Sequence, residues 1–91
     1  MKTIERTFGK MLEAVPENVR REVDLSFAIA NRIDFLIKQR GLTKKQFAEA
    51  LGKRPSEVSK WLGGHHNFTL RTIALISAFF NESIVDVCGD E

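Results

Sequence analysis

The chain holds a single cysteine, Cys88, among its 91 residues. One thiol cannot build an intrachain disulfide framework, which suits a reducing cytosol. No apolar run approaches the ~20 residues that a helix needs to cross a bilayer. The N-terminus is charged and lacks the apolar core of a signal peptide. These absences lead us to expect a cytoplasmic protein with no membrane partner. A Gly-rich phosphate loop, a paired metal motif and a nucleophile elbow are also missing. Nothing therefore positions catalytic groups, and neither an enzyme nor a cofactor is expected. No β-strand is indicated: apolar runs such as ALISAFF at 74–80 are long and flanked by caps, which favours helix.

Net charge is also small, at +2. Its distribution is more informative than its sum. Residues 1–37 are neutral overall. Residues 38–71 carry eight basic and two acidic side chains, net +6, and residues 72–91 carry net −4. A concentrated basic stretch is the electrostatic footprint of phosphate binding.

That stretch contains TKKQFAEALGKRPSEVSKWL, residues 43–62. Thr43 and Gln46 have the spacing of a capping box. Phe47, Ala48 and Leu51 form an inward face, with the small Ala48 where two helices approach. Gly52 can supply the positive φ of a tight turn. Pro55 suits the first position of a second helix, where no N–H is needed. Val58, Trp61 and Leu62 at i, i+3, i+4 point to the core. Ser56, Glu57, Ser59 and Lys60 are left outward. Two short helices joined at a glycine in this way predict a helix-turn-helix, whose second helix lies in the DNA major groove.

The flanks read as helices too. Ile4, Phe8, Met11, Leu12 and Val15 make one stripe on residues 1–15, interrupted by Gly9. Pro16 sets a boundary. Val19, Val23, Phe27, Ala30, Ile33 and Ile37 then continue a 3–4 spacing over a helix of roughly 17–39, with a break allowed near Asp24–Ser26. Gly41 ends it. Thr69 caps a helix in which Leu70, Ile73, Ala74, Ile76, Ser77 and Phe80 form a broad buried stripe. Ser83 starts a last short helix. We divide the chain into an N-terminal helical extension, 1–23, and a DNA-binding domain, 24–91.

These residues resemble a known family. From Ile29 to Val87 the chain is similar to the phage-repressor and Cro type of helix-turn-helix, the xenobiotic-response-element class. The frame is ANRIDFLIKQRGLTKKQFAEALG, then SKWLGG, then TLRTIALISAFF. The resemblance implies an all-α, lambda-repressor-like five-helix domain, here with an additional N-terminal segment. It implies a sequence-specific transcriptional regulator: a repressor acting as a homodimer on a palindromic operator. SKWLGGHHNFTLRTI also resembles HigA-type antitoxins, whose role adds a toxin protein as partner. In that alternative, residues 1–23 are the toxin-binding or dimer surface.

Two departures stand out. Arg54 replaces the Ser or Thr that commonly caps the second motif helix. Some members pair an Arg with a Glu at positions that correspond here to Ile37 and Leu62, so a hydrophobic contact is expected instead. For DNA, Lys44, Lys53 and Arg54 are assigned to phosphate. Ser56, Glu57, Ser59 and Lys60 face the groove, with Lys60 suited to guanine and Glu57 to cytosine N4 or to its own helix dipole. His65, His66 and Asn67 lie where the family loop follows the backbone. The His pair lacks further ligands nearby, so no metal site is expected. Trp61 is assigned to the core by its register with Val58 and Leu62.

Overall fold

Threonine hydroxyls at Thr43 and Thr69 and the left-handed backbone of Gly52 satisfy terminal groups at several helix ends. The computed structural model describes residues 15–85. They form four helices: α1, Glu17–Gln39; α2, Lys44–Leu51; α3, Pro55–Leu62; and α4, Leu70–Phe80. There is no strand among the described residues. The helix expected over 1–15 lies outside them except for its last residue, Val15, which is not helical. Of the last expected helix, Ser83–Val85 are non-helical and the remainder lies outside the described residues.

The caps are specific. Thr43 Oγ1 accepts the Gln46 N–H at 3.0 Å, and Gln46 Oε1 accepts the Thr43 N–H at 2.9 Å, closing the capping box at the start of α2. Gly52 stops that helix at φ 72°, and the following Lys53 N–H returns to Ala48 O at 2.8 Å. An L-residue with a side chain resists this left-handed geometry. Thr69 Oγ1 accepts the Thr72 N–H at 3.1 Å and opens α4.

α1 is continuous across Asp24–Ser26, so the allowed break does not occur and the 23/24 division falls within one helix. Ser26 is buried inside it and caps nothing. The stripe on α1 has two fates. Ala30, Ile33 and Ile37 are buried, as are Ile29 and Leu36. Val19, Val23 and Phe27 remain 38%, 44% and 42% exposed. The helix is simply longer than the face it buries: 23 residues rise about 34 Å, and its buried residues run only from Ser26 to Ile37. Likewise Leu70, expected inside, is 84% exposed because it sits in the first turn of α4 at the edge of the body.

Phe47 is the centre of the core. It is wholly buried, stacked on Phe80 at 5.3 Å, and edge-on to Phe79 at 5.5 Å and to Trp61 at 6.3 Å. α2 is thus tied to α3 and α4 through one ring. Ala48, also at zero exposure, leaves room for α3 to approach α2. Ile37 and Leu62 join the same apolar cluster, and no ion pair replaces them. Arg40 donates to Phe80 O at 2.6 Å and lies over the Phe80 ring, so it closes the C-terminal end of α4. Arg32 donates to Ser83 O at 3.2 Å, holding the chain after α4 against α1.

Phe47→Ala leaves a cavity that three helices share. It is expected to lower stability by about 3–5 kcal/mol, measured by urea denaturation. A loss below about 1 kcal/mol would show that this ring does not organise the core.

Candidate nucleic-acid interface

α3 is only eight residues long, and its orientation is set by what it buries. Val58 and Trp61 are inside, at 0% and 3% exposure, with Leu62 half-buried. Residues at 100° per position then place Ser56, Ser59 and Lys60 together on the opposite face, and all three are exposed. This face presents two hydroxyls and one ammonium. A hydroxyl can donate or accept, and an ammonium can donate to guanine O6 and N7.

Glu57 does something different. Its Oε1 accepts the backbone N–H of Arg54 at 3.1 Å, and the residue is half-buried. This is half of a capping box. The reciprocal bond is missing because a guanidinium only donates. The carboxylate also sits in the first turn, where negative charge suits the helix dipole. Glu57 is therefore turned toward the start of its own helix, with one carboxylate oxygen left over. Arg54 has no capping bond from its side chain, and it projects exposed beside Pro55.

Two of the eight basic residues in 38–71 are committed elsewhere. Lys38 pairs with Asp34 at 2.9 Å, and Arg40 holds α4. Lys44, Lys45, Arg54, Lys60 and Arg71 are exposed and Lys53 is half-buried. None of these six enters an ion pair among the described residues. Lys44 and Lys45 open α2, and Lys53 and Arg54 precede α3, so positive charge brackets the motif at both helix starts. Lys45 belongs to this set although the motif spacing did not single it out; its exposure beside Lys44 is the signal.

The loop after α3 is built more tightly than its sequence indicates. Lys60, Gly63, His65 and His66 line one open depression of about 360 Å³, so the structure brings Lys60 and both histidines together. His66 is half-buried in an aromatic cluster, edge-on to Phe68 at 4.8 Å and 6.5 Å from Trp61. His65 is exposed and packs edge-on against Phe27 of α1 at 5.3 Å. Asn67 is exposed but faces a different groove, beside α1 and α4. Gly64 is buried at φ 85°, and a Cβ there would overlap the Phe27 ring. Phe27 thus clamps the loop from above. Sequence spacing placed it in the core stripe and gave no sign of this second duty. Among the described residues no three metal-ligating side chains come together.

The family model described as helix-turn-helix matches residues 35–87, more than half of the chain. No curated protein and no solved structure matches it.

Two outcomes test the local geometry. Glu57→Ala should cost about 1 kcal/mol in urea denaturation, while Glu57→Gln, which can still accept the Arg54 N–H, should stay near wild type. Equal losses in both variants would exclude the cap. Gly64→Ala should cost about 1–2 kcal/mol, part from φ and part from the ring. Adding Phe27→Ala should remove the ring's part, so the double variant should show less than the summed loss.

Proposed function

Since the chain belongs to the Cro/C1-type helix-turn-helix family of DNA-binding transcription regulators, we propose that it is a repressor that occupies a palindromic operator as a homodimer. The observation that carries this reading is the outward face of α3. Ser56, Ser59 and Lys60 stand on one side of a helix whose other side is anchored by Val58 and Trp61. That combination offers a short reading surface at fixed orientation. Lys60 donates to guanine, and the two serines adapt to whichever base edge they meet.

Lys44, Lys53 and Arg54 contact phosphates on either side and supply most of the affinity, without sequence information. His65 and His66 extend this contact beyond Lys60, along the depression they share with it. Glu57 acts mainly by capping α3, so that the reading helix starts at a fixed position. Two such helices in a symmetric dimer would meet successive major grooves about 34 Å apart. Each half-site binds weakly by itself, and binding falls steeply with salt because counterions are released from the phosphates. The antitoxin reading adds a toxin protein to the same DNA-binding role. It rests on the loop resemblance of 59–73 and on the N-terminal segment that the family frame does not require, and takes second place.

Selection from a random duplex pool supplies the operator for the test. Lys44→Glu and Arg54→Glu should weaken binding to operator and random duplex together, and flatten the salt dependence. Lys60→Ala should mainly reduce the preference for operator, by about 1–3 kcal/mol. If Lys60→Ala weakened both duplexes equally, its base-reading role would be wrong. If no sequence were enriched from the pool, the operator reading itself would fall.

A further inference from the structure

The two histidines after α3 are held by different parts of the molecule. Among the described residues neither imidazole makes a hydrogen bond to another protein group. Packing alone therefore orients them. His66 is half-buried against Phe68 and Trp61, so the core side fixes it. His65 is exposed, and the ring it meets is that of Phe27 on α1, at 5.3 Å with 75° between the planes. His65 also lines the depression that it shares with Lys60 and His66. One imidazole thus touches α1 and borders the end of the reading helix.

Phe27 is suited to fix that imidazole. Its backbone is immobilised by neighbours in the same helix: Ser26, Ile29 and Ala30 are all buried. Its ring lies outside the core cluster and is 42% exposed, so it contributes little to holding the body together. What the ring does touch is the loop. Gly64 is buried at φ 85° with the Phe27 ring where a Cβ would stand. Only a residue without a side chain can pass there in that conformation. The ring therefore defines the path of the loop backbone one residue before His65. It then meets His65 edge-on, an arrangement in which aromatic rings favour a definite mutual orientation.

We propose that Phe27 is a positioning residue for the nucleic-acid interface: it holds Gly64 and His65 so that the His65 imidazole is set to donate to a phosphate oxygen next to the ground covered by Lys60. This rests on the reading of the loop as a contact to the DNA backbone. An imidazole oriented before the duplex arrives has less freedom to lose on binding. Phe27 thus adds affinity without touching DNA. Because the group it serves meets phosphate, the gain is independent of sequence. That separates Phe27 from Lys60, whose loss is felt in the preference for the operator.

The test is a double-mutant cycle on the full chain, read as binding to the selected operator and to random duplex at one salt concentration. Phe27→Ala and His65→Ala should each weaken both duplexes about fivefold, the worth of about one hydrogen bond, with the preference for operator unchanged. In the His65→Ala background, Phe27→Ala should change binding by less than about twofold. Phe27→Leu keeps apolar bulk on α1 but has no ring to meet His65, and serves as a second variant with the same expectations. Amide exchange in α2 and α3 reports that the body is intact in each. A ring that only supported the fold would weaken binding equally in both backgrounds, and that result would overturn the proposal. So would Phe27 variants that bind as wild type does, or a His65→Ala that loses nothing. In those cases wild type still selects and binds its operator, and the DNA-binding reading stands. If wild type enriches no duplex, that reading falls and the role of Phe27 falls with it.

Discussion

The Phe47 ring is the contact on which the arrangement of this small protein depends. It is the point where α2 meets both the helix that follows it and the helix two elements on. With Ala48 beside it at zero exposure, it sets how closely α2 and α3 approach and at what angle. A chain this short has little apolar surface to bury. It compensates by concentrating aromatic rings: Phe47, Trp61, Phe68, Phe79 and Phe80 form one connected set. Trp61 ties that set to α3, where the exposed Ser59 and Lys60 directly precede it.

From this hub the electrostatics follow in two layers. Some basic side chains close a helix end or pair with an acid, as Arg40 does at α4 and Lys38 does with Asp34. Those at the two motif helix starts are left to solvent. The excess charge visible in residues 38–71 is therefore a mixture of structural and surface cations. The surface part is smaller than the sum but is concentrated at the beginnings of α2 and α3, where helix dipoles also favour an anion.

Much of this was legible in the residues. The Thr43–Gln46 box, the positive φ at Gly52 and the inward Val58 and Trp61 all follow from local rules. Local rules act within a turn or two of the chain. Periodicity shows which face of a helix is apolar, but not how far the body beneath it extends. That is why Val19, Val23 and Leu70 were expected inside and are exposed. A cation's type does not reveal its partner, and nothing near Arg40 in the sequence indicates that it serves α4. Glu57 had two readings from its position, and the 3.1 Å bond to the Arg54 N–H favours the local one. The clamp of Phe27 on Gly64 joins residues 37 positions apart and leaves no local trace.

The separation of duties on α3 has an evolutionary consequence. Ser56, Ser59 and Lys60 are exposed and carry no core packing, while Val58, Trp61 and the Glu57 cap hold the helix in place. Surface positions of this kind tolerate substitution at within about 0.5 kcal/mol. The outward face can therefore be rewritten residue by residue while the fold stays above its stability threshold. Related chains with the same core could drift to different binding preferences through viable intermediates, with no compensating change in the helices beneath.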